Sequence, residues 1–185
     1  SDIRSLNDFN GIWNLRLKNL EDEFMISSSQ MGPFPEELQV GLVNINERKV
    51  LLNFLDHKEV IPNNKNSVYD LKVIAGDQEY VKSMSQEILS SIPEEFSLGQ
   101  NYPNPFNPIT QMEYSLPQSS KVIISIYNVL GQEIKTLVNK EQDYGYHYVS
   151  WDGTDRLGKS VASGVYFTQM RSGGFSQSKK MLLLK

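Results

Sequence analysis

Two aspartates around a glycine turn are the best candidates in this chain for holding a metal ion. Asp152 and Asp155 lie in the run Asp-Gly-Thr-Asp, where carboxylates and carbonyls can ligate Ca²⁺. The spacing differs from the Asp-x-Asp-x-Asp-Gly loop, and acidic ligands further along are missing. In the alternative, which we favour, Asp152 caps the turn by accepting hydrogen bonds from backbone N–H groups. We therefore predict no metal ion and no cofactor.

The histidines do not form a recognisable catalytic pattern. His57 and His147 are the two histidines of the chain, and no Gly-x-Ser-x-Gly nucleophile elbow is present. His147 is in register with Val149 and Trp151, which indicates a strand residue, and His57 lies in a polar stretch. The chain has no cysteine, which excludes a thiol nucleophile and a thiolate metal site. We predict that this fragment is not an enzyme, although a catalytic or adhesive domain can precede it in the same chain.

Four aromatic residues follow one another closely at Tyr144, Tyr146, Tyr148 and Trp151. Aromatic platforms bind sugars, so a carbohydrate-binding module is an alternative of a different functional class. Aromatic side chains also commonly fill one face of a strand. Because Trp151 is in the inward register, we favour core packing.

Composition excludes two further classes. The net charge of −4 offers no basic stripe for nucleic acid, so we predict no nucleic-acid partner. No apolar run approaches the roughly 20 residues that span a bilayer, so we predict no membrane insertion. The chain opens at Ser1 without a signal-peptide pattern, and we expect an excised or processed fragment.

Short alternating segments predict a β-sandwich in residues 1–93, which we interpret as a spacer or accessory domain. The strand candidates are marked by apolar residues at every second position: Trp13, Leu15 and Leu17; residues 23–27; Leu38, Val40 and Leu42; Val50, Leu52 and Phe54; and Tyr69, Leu71 and Val73. Residues 80–92 fit a helix and a strand about equally. We predict a linker at residues 94–96.

A proline-rich segment, Asn-Tyr-Pro-Asn-Pro-Phe-Asn-Pro at residues 101–108, follows this linker. Each proline lacks an N–H and fixes its own φ, which rules out a helix and a central strand. The residue before each proline is driven to extended angles. We expect a stiff, extended segment with Tyr102 and Phe106 as apolar anchors.

Residues 97–185 predict a second sandwich of about seven strands, the size of an immunoglobulin-like (Ig-like) domain. Strands are indicated around Met112, Ile124, residues 133–138, Val149 and residues 165–170. A polar loop is expected at residues 139–145 and a hairpin turn at Ser172-Gly173-Gly174. The final strand is expected at residues 179–184. The predicted fold class is thus all-β, with two tandem β-sandwich domains.

Residues 96–185 resemble the type A C-terminal sorting domain of the type IX (Por) secretion system. The resemblance rests on five motifs in order, at residues 100–108, 126–132, 151–155 with Gly158, 162–167 and 180–185. Its structural positions here are Asn104, Pro105, Phe106, Asn107, Gly131, Trp151, Asp152, Gly153, Gly164 and Tyr166. The same pattern also resembles the Ig-like domain of flagellar hook-cap proteins.

This resemblance implies that the domain is a non-catalytic address on a larger exported protein. Such proteins pass through the periplasm and then cross the outer membrane to the cell surface or medium. The implied partners are the outer-membrane translocation and attachment machinery. The alternatives are a carbohydrate-binding module and a structural Ig-like module of a surface or flagellar protein.

The family places its essential contacts near the last residues, which correspond here to Lys180, Met181, Leu182, Leu183, Leu184 and Lys185. Lysines on an edge strand can also simply block unwanted pairing. The resemblance favours recognition, with the final strand presented to a receptor that could pair with it by strand addition.

Overall fold

The structure is a computed structural model that describes residues 10–17, 24–27, 38–52, 58–61 and 69–184, with the backbone alone at 24–27 and 58–61. The chain divides into two compact units, Ser1–Ser91 and Ile92–Lys185. The described residues form thirteen strands and one helix, which confirms the predicted all-β class. His57, Phe54 and Lys185 lie outside the described residues.

Antiparallel strands build the first unit. Its strands in the described ranges are β1 (Gly11–Leu17), β2 (Phe24–Ser27), β3 (Gln39–Asn44), β4 (Lys49–Leu51), β5 (Lys58–Ile61) and β6 (Tyr69–Gly76). They form a four-stranded sheet in the order β1-β6-β3-β4 and a two-stranded sheet of β2 and β5. A buried cluster contains Leu42, Tyr69 and Leu71, three residues that mark apolar strand positions in the sequence.

The segment that fits both helix and strand in the sequence is a helix, α1 (Gln78–Ser91). Asp77 caps it, because its Oδ1 accepts a hydrogen bond of 2.8 Å from the amide three residues on. Val81 is completely buried where α1 packs on the sheet. Gly41 leaves room for this packing, since a Cβ there would lie 2.8 Å from Val81 Cγ1.

The apolar face that the alternation predicts for β1 is largely exposed rather than packed in a core. Trp13 is 51% exposed and Leu15 is 40% exposed, whereas Leu17 packs against the buried cluster. β1 is an edge strand of its sheet, and α1 packs on β3 and β6 in the middle of it. Alternation therefore predicted the strand correctly but not how deeply it is buried.

Two antiparallel sheets form the second unit, whose seven strands confirm the predicted sandwich. One sheet contains β7 (Ser97–Leu98), β8 (Thr110–Leu116) and β11 (Gly145–Trp151), in the order β11-β8-β7. The other contains β9 (Ser120–Asn128), β10 (Glu133–Gln142), β12 (Gly164–Ser172) and β13 (Phe175–Leu183), in the order β10-β9-β12-β13.

An aromatic group lies at the centre of the core between these sheets. The Trp151 ring, 1% exposed, lies 5.5 Å from the Phe106 ring and 5.1 Å from the Tyr166 ring, centroid to centroid. The indole Nε1 donates to the carbonyl of Thr154 at 2.9 Å, so this buried polar group is satisfied. Trp151 is therefore a core residue, as its register predicts.

The polar stretch at residues 139–145 is not wholly a loop, contrary to the sequence prediction. β10 continues to Gln142, and Asn139 and Lys140 pair with Ile123 and Val122 of β9. β10 is an edge strand, so polar side chains are compatible with its backbone pairing.

Phe106 and Tyr102 form a matched pair for measuring how much a buried aromatic side chain stabilises the second unit. Phe106 is 2% exposed, whereas Tyr102 is 83% exposed. We expect Phe106→Ala to lower the free energy of unfolding of the second unit by about 3–5 kcal/mol, the usual loss for a buried aromatic. Tyr102→Ala should change it by less than about 0.5 kcal/mol. Urea unfolding followed by Trp151 fluorescence in a Trp13→Phe background measures both values. Equal losses would contradict the assignment of Phe106 alone as the anchor.

Candidate recognition surface at the terminal strand

The predicted sorting residues divide between the core and the surface. Met181 and Leu183 have no exposed area and belong to the hydrophobic core. Lys180 is exposed, Leu182 is half-buried, and Leu184 is 49% exposed. Among the described sorting residues, the side chains that a receptor can reach are therefore those of Lys180, Leu182 and Leu184.

The proline-rich segment covers the outer edge of β13. Phe106 N–H donates to the carbonyl of Leu182 at 2.9 Å, and Leu184 N–H donates to the carbonyl of Phe106 at 2.9 Å. This is a parallel bridge between Phe106 and Leu183. The ring of Phe106 enters the core while its backbone pairs with the strand.

Two side chains extend this cover along β13. Asn104 Oδ1 accepts a hydrogen bond of 3.0 Å from Leu182 N–H, and Gln100 Nε2 donates to the carbonyl of Lys180 at 2.8 Å. These bonds occupy the edge from Lys180 to Leu184. Strand addition by a receptor at this part of the edge would have to displace the proline-rich segment, which corrects the simple pairing mechanism.

Buried polar groups hold the proline-rich segment itself in place. Asn101 is 2% exposed, and its Nδ2 donates to Thr110 Oγ1 at 2.9 Å and to the carbonyl of Pro103 at 3.0 Å. Thr110 Oγ1 donates to the same carbonyl at 2.8 Å. Tyr102 exchanges two backbone hydrogen bonds with Gln111, but its ring is exposed, so its predicted role as an apolar anchor is wrong.

A groove of about 400 Å³ lies beside the terminal strand on the face of its sheet. Phe167 is paired with both Tyr127 of β9 and Lys180 of β13, so these three side chains form one row across the sheet. Gln169 and Ser178 form part of the next row and also line the groove. Sequence motifs give no indication of this groove, because it is assembled by strand pairing.

The turn between β9 and β10 borders the same groove. Asn128 Oδ1 accepts hydrogen bonds of 3.0 Å from the amides of Leu130 and Gln132, and Gly131 adopts a φ of +75° that favours glycine. The turn exposes 67% of Val129 and 77% of Leu130. A well-bonded turn thus presents two aliphatic side chains to solvent.

The two candidate calcium ligands are occupied by local hydrogen bonds. Asp152 Oδ1 accepts from Thr154 Oγ1 at 2.6 Å and from Thr154 N–H at 3.2 Å. Asp155 Oδ1 accepts from the amides of Leu157 and Lys159 at 2.8 and 2.9 Å. This is the geometry of turn-capping carboxylates. The described residues contain no group of three or more metal-ligating side chains that could hold an ion.

Gly153 explains the tight form of this loop. Its φ is +68°, and a Cβ would lie 3.2 Å from the carbonyl oxygen of Pro108. Its carbonyl accepts the amide of Val161 at 2.9 Å. The motif around Trp151 therefore brings the loop against the end of the proline-rich segment.

His147 is held in place by a neighbouring aromatic ring and by a backbone carbonyl. Its ring stacks on Tyr114 at a centroid distance of 5.3 Å, and its Nε2 lies 2.7 Å from the carbonyl of Asp143. A carbonyl accepts hydrogen bonds, so Nε2 carries the proton, and Nδ1 can accept from Gln142 Nε2 at 3.4 Å. Tyr144 is half-buried, whereas Tyr146 and Tyr148 are exposed, so the predicted aromatic cluster does not form one platform.

No helix in the described ranges combines the length and the apolar character needed to cross a bilayer.

The sequence profile of the FlgD Ig-like domain family matches residues 109–174. This match supports the Ig-like fold of the second unit and spans a little over a third of the chain. It begins after the proline-rich segment and ends before β13. A search of curated proteins found no match.

The solved structures that are similar to the chain include FLGD, PorZ and PorU. FLGD from P. aeruginosa is 21% identical with a TM-score of 0.33, and the match covers 40% of this chain and 57% of that one. PorZ of Porphyromonas gingivalis, described as a surface component of the type IX secretion system, is 16% identical with a TM-score of 0.35, over 62% and 14%. Dimeric latent PorU from the same organism is 13% identical with a TM-score of 0.39, over 95% and 18%. This chain thus spans less than two thirds of each of these proteins.

Asn104 should control the local opening of the terminal strand. We expect Asn104→Ala to increase hydrogen exchange at the Leu182 amide roughly fivefold, because one net hydrogen bond stabilises by about 1 kcal/mol. The amides of Met181 and Leu183 face β12 and serve as the internal control. Native-state exchange measured by NMR tests this, and equal acceleration at all three amides would contradict a local role.

Asp152 should make stability depend on pH at the acidic end. The Thr154 hydroxyl, together with Lys135, holds the pKa of Asp152 below its ordinary value of 3.8. A lowered carboxyl pKa stabilises the fold above pH 3.8, and this contribution is lost as the pH falls through the lower folded value. The stability gap between wild type and Asp152→Asn should therefore shrink below pH 3.8. A constant gap in urea unfolding from pH 6 to pH 2 would contradict it.

Proposed function

We propose that the second unit is a non-catalytic targeting domain that directs a larger exported protein through the type IX secretion system. The observation that carries the proposal is the contact between the proline-rich segment and β13. These are the first and last motifs of the sorting resemblance, and both lie outside the span matched by the FlgD Ig-like family. Two motifs that are far apart in sequence are thus parts of one surface.

In this proposal the receptor reads side chains of the terminal strand rather than its backbone edge. The edge is already hydrogen bonded from Lys180 to Leu184. Lys180, Leu182 and Leu184 all project from the outer face of the sheet, since Met181 and Leu183 point into the core. In this proposal the receptor recognises Lys180 together with the partly exposed side chains of Leu182 and Leu184.

The neighbouring groove enlarges this surface. Phe167 is cross-strand partner to Lys180, and Val165 is partner to Leu182. Cross-strand neighbours on one face lie about 5 Å apart, so a receptor that contacts β13 also meets β12. Val129 at the groove margin adds an exposed aliphatic group. The proposed partner is therefore a receptor surface of apolar and acidic character in the translocation and attachment machinery.

The proposal places the protein in the periplasm in transit and then at the cell surface or in the medium. It assigns no catalysis to this fragment, and any enzymatic or adhesive activity belongs to the preceding part of the exported chain. The first unit is assigned the role of a spacer or accessory domain.

A structural Ig-like module is the second candidate function. The match of residues 109–174 to the FlgD Ig-like family favours it, because that match needs neither end of the sorting pattern. The two functions differ in whether residues 180–184 act as an address.

A secretion assay with matched variants tests the targeting function. The 185-residue chain is fused behind a periplasm-directed fluorescent protein in a type IX-competent bacterium. Lys180→Glu with Leu184→Asp changes the proposed address, and Lys159→Glu with Leu157→Asp makes the same chemical changes in an exposed loop. We expect the first pair to reduce export at least tenfold and the second to leave it unchanged.

Substitutions are preferable to deletion of the strand, because deletion would remove the core residues Met181 and Leu183. Circular dichroism of each purified variant checks that the fold is intact. Equal export of both variants would exclude the terminal side chains as the address. Retention of the wild-type fusion in the periplasm would reject the targeting function and favour the structural module.

A further inference from the structure

Three tyrosines with large exposed areas lie on the sheet opposite the terminal strand. Tyr102 is 83% exposed, Tyr146 is 59% exposed, and Tyr148 is 60% exposed. The aromatic core is complete without them, since it is formed around Trp151, Phe106 and other buried residues. Large exposed aromatic side chains gathered on one face are typical of interaction surfaces.

Strand register places the three rings on one face of the sheet. Tyr148 is the cross-strand partner of Glu113, and Ser150 is the partner of Gln111. Gln111 in turn pairs with Tyr102 on its other side. Partners in an antiparallel pair project to the same side, and residues two apart on β11 share that side. We call the set Tyr102, Gln111, Glu113, Tyr146, Tyr148 and Ser150 the tyrosine face.

The tyrosine face combines open rings with hydrogen-bonding groups. Gln111, Glu113 and Ser150 are exposed between the tyrosines. The Tyr148 hydroxyl donates to Glu113 Oε2, which fixes the orientation of this ring. By strand geometry, Tyr102 and Tyr148 are separated by roughly 12 Å, given about 4.8 Å between strands and about 3.3 Å per residue. The face therefore offers an elongated aromatic surface with polar groups within it.

We propose that the tyrosine face binds a neutral polysaccharide. The C–H groups on the flat side of a pyranose ring are weakly positive and pack well on an electron-rich aromatic face. The sugar hydroxyls find partners in the amide of Gln111, the carboxylate of Glu113 and the hydroxyl of Ser150. A chain of several sugar rings matches the elongated shape better than a single small molecule, which would need an enclosing pocket.

The charge of the tyrosine face indicates which class of glycan it binds. Glu113 is the one charged member of the tyrosine face, and the set contains no cation. Anionic chains such as phosphorylated or uronic-acid polymers would meet a negative carboxylate without compensation. A neutral glycan avoids this repulsion and can use the same carboxylate as a hydrogen-bond acceptor. This ligand is distinct from the proposed secretion receptor, which contacts the other sheet.

The residues of the tyrosine face differ from those that sequence spacing suggests for sugar binding. Sequence spacing suggests Tyr144, Tyr146, Tyr148 and Trp151 as a platform. In the structure Trp151 is 1% exposed, so it cannot contact a ligand, and Tyr102 from the proline-rich segment joins Tyr146 and Tyr148 instead.

Affinity gel electrophoresis of the 185-residue chain tests the proposal. The probes are neutral polysaccharides (a mixed-linkage β-glucan, a xylan and a galactomannan) and polygalacturonate as the anionic comparison. We expect at least one neutral gel to retard the wild type and the anionic gel not to. The combined Tyr102→Ala, Tyr146→Ala and Tyr148→Ala variant should lose at least tenfold in affinity, whereas Trp13→Ala, which removes an exposed aromatic side chain of the first unit, should bind normally.

Two additional measurements distinguish loss of sugar binding from loss of the fold and from self-association. Circular dichroism and thermal unfolding establish that the triple variant is folded, and Tyr102→Ala alone serves if it is not. Sedimentation velocity tests whether the tyrosine face instead binds a second copy of the chain. No retardation in any neutral gel, equal loss in Trp13→Ala, or a dimer that dissociates on substitution of the tyrosines would each overturn the proposal.

Discussion

The pairing of Phe106 with the terminal strand is the interaction on which the second unit depends. Its N–H and carbonyl bond to Leu182 and Leu184, and its ring packs 5.5 Å from the ring of Trp151. One residue therefore closes the exposed edge of β13 and also fills the centre of the core. The entropic cost of joining such distant segments is met by backbone bonds and apolar burial acting together. The side chain of Asn104 adds a bond across 78 positions of sequence.

The strands of the second unit could be predicted from sequence because the pattern that indicates each strand lies within the strand itself. The alternation of Met112, Tyr114 and Leu116 predicts that these side chains face the core, and all three are buried. The pairing of the proline-rich segment with β13 could not be predicted in this way. It depends on which of several distant segments reaches an open edge, and no short pattern carries that information.

Two aromatic residues of the proline-rich segment show the limit of local reasoning. Tyr102 and Phe106 look equivalent as apolar anchors, yet one is exposed and the other is buried. Their difference comes from where the segment runs, first beside β8 and then beside β13. The same limit applies to β1, where alternation identified the strand but its edge position left the apolar side exposed. The motif residues were recognisable from sequence, whereas the groove and the tyrosine face required knowledge of strand register.

The late position of β13 in the chain makes the second unit sensitive to incomplete synthesis. A product interrupted before residue 181 would lack the core side chains of Met181 and Leu183 and leave residues 164–166 of β12 without their pairing partners. Such a chain exposes apolar surface and unpaired strand groups, the features that lead to aggregation and degradation. Because the proline-rich segment pairs with residues 182–184, the unit can complete its fold only after these residues have been synthesised. An interrupted product is therefore expected to be unstable, because both its core and one of its sheets are incomplete.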